Sequence, residues 1–200
     1  MKVPHSFYMN PDPVSVGMKL LGKYLFTFKD GVLTGGFIVE TEAYNGPADK
    51  ASHAWNGRRT GRTEAMFKEG GIAHIYLNYG IHEMMNIVIS HENDPRAVLI
   101  RAIEPTVGID TMLLRKGMKE LKPNVTAGPG SLTRALAITR DLNGISLEGD
   151  VLWLEDKGLN FTESQITTSP RIGVAYAGED ASLPYRFYVK GNKYVSKPNK

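Results

Sequence analysis

The chain has 200 residues, 42% of them hydrophobic and 22% charged, with a formal net charge of +3. These values are typical of a soluble globular protein, and the length suits one domain or at most two small ones. We expect a single domain over residues 1–200. It contains no cysteine, which excludes disulfides, thiolate metal sites and cysteine nucleophiles and fits a reducing compartment. Neither the apolar segment of a signal peptide nor the ~18 apolar residues of a membrane helix occurs, so we expect a cytoplasmic protein that does not engage a membrane.

The first elements in chain order are a helix and two strands. Asp12-Pro13 precedes an apolar-periodic stretch, which predicts a helix start with Asp12 as the cap and a helix end near Gly22. Two strands are expected next, joined by an Asp-Gly turn, over residues 24–28 and 32–43.

Residues 45–71 are polar and glycine-rich and predict a long loop, a length that is uncommon unless it is functional. The loop holds one basic group, which consists of Arg58, Arg59 and Arg62. A second basic group lies in residues 181–200 and consists of Arg186, Lys190, Lys193, Lys197 and Lys200. Such groups suit a polyanion such as nucleic acid. A solvated loop and tail explain the same charges equally well.

The second half continues with further strands and helices. Residues 72–90 read as a hairpin with Asn78-Tyr79-Gly80 at its tip. The remaining elements are a strand over 97–105, helices over 106–117 and 128–138, and strands in RIGVAYAG and YRFYVKG. Because most strands are adjacent in sequence, we expect a β-rich mixed α/β domain whose antiparallel or mixed sheet is surrounded by helices.

Two carboxylates interrupt the strand over 32–43. Side chains in a strand alternate between faces, so Glu40, Glu42 and Tyr44 should share one side. A carboxylate at the end of an apolar strand, beside an aromatic ring, can be tuned as a general base, which makes Glu42 a candidate. A glutamate that is exposed, or paired with an arginine, is the simpler alternative.

Further candidates are polar or aromatic groups in unusual places. Arg101 follows three apolar residues, where a guanidinium needs a carboxylate; a purely structural Arg–Glu pair is the alternative. Tyr79, at the hairpin tip, can act as a wedge between bases or fold back onto the sheet. Asn86 interrupts an apolar strand and needs partners if buried. His53 lies in the long loop, where a histidine is usually a surface residue.

No cofactor is predicted. The side chains of His53, His74, His82 and His91 lack metal-ligand spacing with a nearby acid pair, and phosphate-loop and dinucleotide motifs are absent from the sequence. GPGSLTRALAI can open a helix toward a phosphate, although a glycine turn before a helix explains it equally well.

Five segments together resemble one protein family in order and spacing. They are VETEAY with a histidine nine residues after its tyrosine, Y..YG....MN, VLIRAIEP, AGPGSLTRALAI and RIGVAYAG…PYRFYVKGNKYVS. Over residues 13–196 the chain is similar to the alkyladenine (3-methyladenine) DNA glycosylases, as a bacterial member of the vertebrate-type group that lacks a helix-hairpin-helix. It departs from the family's usual residues at His74, Trp55-Asn56 and Ser182-Leu183.

The resemblance implies a single domain with a curved antiparallel sheet, like an open barrel, surrounded by helices and bearing a protruding hairpin. It implies a monomeric, nucleoid-associated enzyme of base-excision repair without a cofactor. Its partner would be double-stranded DNA that contains damaged purines, namely 3-methyladenine, 7-methylguanine, hypoxanthine or ethenoadenine. Such enzymes flip the target nucleotide into a pocket before hydrolysis.

The resemblance also implies how hydrolysis proceeds. Glu42 would activate a water against the sugar C1′, and Arg101 and the backbone carbonyl of Ile172 would help to hold that water. Glu40 would have a supporting or ion-pair role. The strands of Glu42 and Arg101 carry no lysine for a Schiff base, which favours a monofunctional enzyme, although Lys50 lies in the nearby loop.

The remaining roles concern the flipped base. Tyr79 would fill the gap that the nucleotide leaves in the duplex. Tyr44, His53 and Tyr76 would sandwich and orient the purine. Asn86 would lie against the edge where guanine carries its 2-amino group and disfavour normal guanine.

Two other functions fit the same residues. A non-catalytic nucleic-acid-binding module on this fold would use the basic groups and Tyr79 but would not need Glu42. A nucleoside or sugar hydrolase would use Glu40 and Glu42 as a carboxylate pair, and it would be insensitive to Tyr79.

Overall fold

One antiparallel sheet organises the chain. A computed structural model describes residues 1–197, and Lys200 lies outside them. Within these residues the strands are β1 (Tyr24–Lys29), β2 (Val32–Tyr44), β3 (Ala73–Asn78), β4 (His82–Ile89), β5 (Arg96–Val107), β6 (Leu152–Glu155), β7 (Ile166–Ser169) and β8 (Arg186–Val189). The strand order is β3-β4-β5-β2-β1-β6, and β8 pairs with both β2 and β7.

β2 is the central strand, and irregular pairing bends it. Its first half pairs with β1, its second half pairs with β8 over residues 40–42, and β5 runs along its other edge. The register with β5 shifts between Gly35 and Gly36 and again on both sides of Glu40. A Cβ on Gly36 would clash with the carbonyl of Glu104, so this close approach requires glycine. The sheet therefore curls into an open half-barrel.

Within residues 1–197 four α-helices surround the sheet: α1 (His5–Tyr8), α2 (Pro13–Leu20), α3 (Ile109–Lys116) and α4 (Pro129–Ala135). The carboxylate of Asp12 accepts hydrogen bonds from the backbone amides of Val14 and Ser15 and so caps α2, as predicted. None of the helices within residues 1–197 is long and apolar enough to cross a membrane.

The main hydrophobic core lies between the sheet and the helices α2, α3 and α4, with Leu20, Ile38, Ile100 and Leu132 among its buried members. A smaller cluster of Ala54, Met66, Phe67 and Ala97 attaches the chain between β2 and β3 to β5. The predicted loop over residues 45–71 is thus anchored, and it contains three short 3-10 turns, Gly46–Ala48, Trp55–Gly57 and Glu64–Phe67.

The strands on either side of the two predicted turns are confirmed, and so is a helix within residues 106–117, but the predicted start of that helix and the strand predicted in RIGVAYAG are wrong. The helix expected over 106–117 begins at Ile109, because β5 continues to Val107 and Gly108 adopts a left-handed conformation (φ 70°). RIGVAYAG does not form a strand. It leads into the 3-10 segment Ala175–Ser182, and Gly173 and Gly178 have φ of 78° and 61°, which extended backbone does not allow.

Candidate active site

All the site residues predicted from the sequence converge on one cavity of ≈130 Å³. The cavity opens on the side of β2 toward which Glu42 and Tyr44 point. The predicted residues that line it are Glu42, Tyr44, His53, Tyr76, Tyr79, Asn86, Arg101 and Ile172.

Glu42 is fully buried at this cavity, so the exposed alternative is wrong. Its carboxylate accepts hydrogen bonds from the Ile172 amide (2.8 Å) and the Tyr44 hydroxyl (3.0 Å), and Arg101 Nη1 lies 3.3 Å away. Burial raises the pKa of Glu42, and these three contacts, which favour the charged form, do not fully offset it. The carboxylate is therefore held in place and is easier to protonate than an ordinary glutamate.

Glu40 has a different environment on the same face of β2. It is fully buried and accepts four hydrogen bonds, from Arg101 Nε (2.8 Å), Arg186 Nε (2.8 Å), the Ser196 amide (2.7 Å) and Ser196 Oγ (2.9 Å). Burial favours its neutral form, but the two guanidinium groups and the Ser196 amide outweigh burial and hold the pKa of Glu40 below its usual value. The expected ion-pair role is confirmed, and the two neighbouring carboxylates have pKa values shifted in opposite directions.

Opposed bulges bring Arg101 to both carboxylates. The pairing of β2 with β5 steps from Ile38↔Ile103 to Glu40↔Ala102 and then to Thr41↔Ile100. Val39 on one strand and Arg101 on the other therefore have no register partner. A bulge redirects the side chain that it carries, and here it directs the guanidinium toward Glu40 and Glu42.

A buried ion pair holds the segment that carries Ile172. Arg171 donates to both carboxylate oxygens of Asp49, at 2.5 and 2.9 Å, and to the carbonyl of Ala43 at 2.9 Å. Its guanidinium lies 4.8 Å from the Tyr44 ring centroid. The pair ties the end of β2 to the segment after β7. It fixes both the Ile172 amide against Glu42 and the ring of Tyr44 in the cavity wall.

The opposite wall is aromatic and uncharged. The ring of Tyr76 meets His53 edge-on at 4.6 Å and stacks on His74 at 5.3 Å. Burial and the nearby cations Arg62 and Arg58 lower the pKa of His53 to about 4. His53 is therefore neutral at physiological pH and presents one N–H donor and one acceptor nitrogen.

Asn86 and Tyr79 complete the cavity. Asn86 Oδ1 is buried and makes no hydrogen bond within residues 1–197, which leaves an acceptor free for a bound molecule. Tyr79 stands at the tip of the β3–β4 hairpin with 83% of its surface exposed, so the alternative in which it folds back is wrong. Tyr79 and Gly80 both have positive φ (49° and 72°), and with Ile81 they form the three-residue loop between the paired residues Asn78 and His82.

Comparison with known proteins identifies the family to which this chain belongs. The family profile described as methylpurine-DNA glycosylase matches residues 6–193. The chain belongs to this family. It is therefore a DNA N-glycosylase, a hydrolase of DNA repair whose substrate is DNA.

Relatives match the chain over its whole length. A protein of Bacillus cytotoxicus is 44% identical and one of Bacillus thuringiensis is 43% identical, each over 98% of this chain and 100% of its own. A Bacillus cereus protein is also 43% identical over the same share of both chains. All three carry the name putative 3-methyladenine DNA glycosylase.

The basic groups of this glycosylase divide by exposure. Arg186 is buried against Glu40, so its assignment to a polyanion surface was wrong. Arg59 forms a two-pronged ion pair with Glu64. Arg62 lies over the ring of Tyr76 at 5.1 Å. Arg58 remains exposed beside the cavity.

Sequence reasoning missed three residues that shape this site. Arg171 and Asp49 were overlooked because neither sequence neighbourhood indicates a buried charge. Tyr176 lines the cavity and donates its hydroxyl to the carbonyl of Ala51 at 3.1 Å. The sequence predicts a strand for its segment, and the one local signal is an aromatic residue in a glycine-rich stretch.

Proposed function

We propose that this glycosylase removes alkylated or deaminated purines from double-stranded DNA, namely 3-methyladenine, 7-methylguanine, hypoxanthine or ethenoadenine, and leaves an abasic site. It acts as a monomer and flips the damaged nucleotide into the cavity. The observation that carries the proposal is the buried, hydrogen-bonded carboxylate of Glu42 at an aromatic cavity beside Arg101.

In this mechanism ionised Glu42 accepts a proton from a water molecule as the water oxygen bonds to the sugar C1′. The bond between C1′ and the purine nitrogen breaks, and its electron pair leaves with the purine. Arg101 and the carbonyl of Ile172 hold the water. An alkylated purine that already carries positive charge departs as a neutral base, so its departure needs little help from an acid.

The environment of Glu40 argues against a two-carboxylate mechanism. A general acid needs a raised pKa, whereas the pKa of Glu40 is lowered by two buried arginines and the Ser196 amide. Glu40 therefore stays ionised and has no proton to donate. This favours a single base, Glu42, over the carboxylate pair of a nucleoside or sugar hydrolase.

The aromatic walls suit a flat base with positive charge or reduced electron density. Tyr44 and Tyr76 supply ring faces, which attract cations, and neutral His53 adds no opposing charge. We assign His53 to orienting the purine and Asn86 to the edge where guanine carries its 2-amino group. Tyr79 fills the gap in the duplex. No lysine is present among the cavity-lining residues within 1–197, which favours hydrolysis over a Schiff-base reaction with strand cleavage.

The test is single-turnover base release from duplexes that carry hypoxanthine or ethenoadenine and from methylated DNA. Glu42→Gln should slow release by at least about 100-fold, the usual contribution of a general base, and should still bind the duplex. Glu104→Gln is the matched control, because Glu104 lies in the same sheet and its carboxylate accepts from Asn192. Release by Glu42→Gln at the wild-type rate would refute the mechanism. Tight binding without release by wild type would indicate the non-catalytic module.

A further inference from the structure

The indole of Trp55 is exposed and belongs to none of the hydrophobic clusters within residues 1–197. Trp55 begins the 3-10 turn Trp55–Gly57 beside the cavity and keeps 49% of its surface in solvent. Tryptophan is among the largest apolar side chains that a fold can bury. Within residues 1–197 no ring or cation stacks on this indole. Its face is therefore available to a ligand.

The surroundings of Trp55 are cationic. It lines a groove of ≈590 Å³ together with Lys50, Arg58 and Arg62. None of the groove-lining residues within 1–197 is an aspartate or glutamate, and the side chains of Lys50 and Arg58 form no ion pair there. An aromatic face among unpaired cations is the arrangement that binds single-stranded nucleic acid, since bases stack on the ring and phosphates meet the charges.

The groove is continuous with the active-site cavity. Five residues line both: Ser52, His53, Asn78, Tyr79 and Tyr176. A nucleotide whose base occupies the cavity stays bonded to its neighbours in the strand. The groove therefore offers the strand a positively charged path past Tyr79.

We propose that this groove binds an unpaired nucleotide of DNA adjacent to the flipped one, with its base stacked on Trp55 and its phosphate contacting Lys50 and Arg58. A paired base presents only its edges, so the indole face selects an unstacked nucleotide. The inference rests on the proposed base flipping. It gives the enzyme an affinity for single-stranded DNA that does not depend on a damaged purine.

The chain's two tryptophans allow a direct test. Trp153 stacks on Phe26 at 5.5 Å in the sheet and does not line the groove. Trp153→Phe leaves Trp55 as the sole tryptophan, and Trp55→Phe leaves Trp153 as the matched control. The probe is a short oligothymidylate, which has no purine to occupy the cavity, titrated at low salt while tryptophan fluorescence is recorded.

Oligothymidylate should quench the fluorescence of Trp153→Phe in a saturable way and leave that of Trp55→Phe unchanged. Trp55→Ala should bind the probe about 5- to 160-fold more weakly than wild type, which is the range for one stacked base. Unchanged affinity of Trp55→Ala, saturable binding without quenching of Trp55, or no binding by wild type would each overturn the inference. None of these results involves Glu42, so base release by wild type and its loss in Glu42→Gln decide the proposed function separately.

Discussion

Replacing Glu40 by glutamine tests the electrostatics of the site through both stability and pH dependence. The carboxylate accepts four hydrogen bonds, two of them from the guanidinium groups of Arg101 and Arg186. Glutamine keeps the shape but is neutral. Arg101 retains Glu42 at 3.3 Å. Arg186 has no second acidic partner within residues 1–197, so its buried charge keeps only neutral partners such as Ser169 Oγ and the Tyr188 ring.

Breaking a buried ion pair from one side costs about 3–5 kcal/mol. For a domain of this size that corresponds to a fall in melting temperature of about 6–20 °C. The control Glu104→Gln changes a partly buried carboxylate that accepts from neutral Asn192. It should cost only about 1 kcal/mol, or about 2–4 °C.

The same substitution should move the acid limb of base release to lower pH. In the wild type the pKa of Glu42 is raised by burial and further by the negative charge of Glu40, while Arg101 lowers it. A base works only when deprotonated, so wild-type activity should fall with decreasing pH at values above the ordinary glutamate pKa. Without the charge of Glu40, Arg101 acts mainly on Glu42, and the pKa of Glu42 drops.

Two measurements check this prediction: thermal melting and the single-turnover rate of base release as a function of pH. If Glu40→Gln melts as close to wild type as Glu104→Gln does, the ion pairs of Glu40 contribute little to stability. An acid limb that moves to higher pH would refute the coupling between the two carboxylates.

Two other predictions concern the histidines and the hairpin tip. Burial is the main reason that the pKa values of His53 and His74 are both lowered to about 4. In NMR spectra, two of the five histidine rings should therefore stay neutral from about pH 5.5 to 8. Titration of either ring near pH 6.5 would contradict their burial. Tyr79 adopts a left-handed conformation that asparagine tolerates better than tyrosine does. Tyr79→Asn should therefore leave the free energy of unfolding unchanged or raise it by up to ~1 kcal/mol. The same variant should slow single-turnover base release. Ile81→Ala, its exposed neighbour in the hairpin, is the control, and a Tyr79→Asn variant that releases bases at the wild-type rate would rule out the wedge.

Local rules of the chain determined much of the fold. The cap at Asp12, the Asp-Gly turn and the tip at Tyr79-Gly80 depend on residues close in sequence, and the structure has each where it was expected. Alternation along β2 placed Glu40, Glu42 and Tyr44 on one side, and contacts with the shared partners Arg101 and Glu42 confirm it. These features were predictable because dihedral preferences and the two-residue period of a strand act over a few residues.

Only the tertiary structure decided the chemistry of these groups. The bulge that directs Arg101, the contacts of Arg186 and Ser196 that lower the pKa of Glu40 while that of Glu42 is raised, and the ion pair of Arg171 with Asp49 join segments far apart in sequence. The strand predicted in RIGVAYAG is wrong because its apolar pattern shows neither the positive φ of Gly173 and Gly178 nor the pairing of Arg171 with the distant Asp49. Desolvation and charge pairing depend on what the completed fold brings together, and neighbouring residues in the sequence do not specify that.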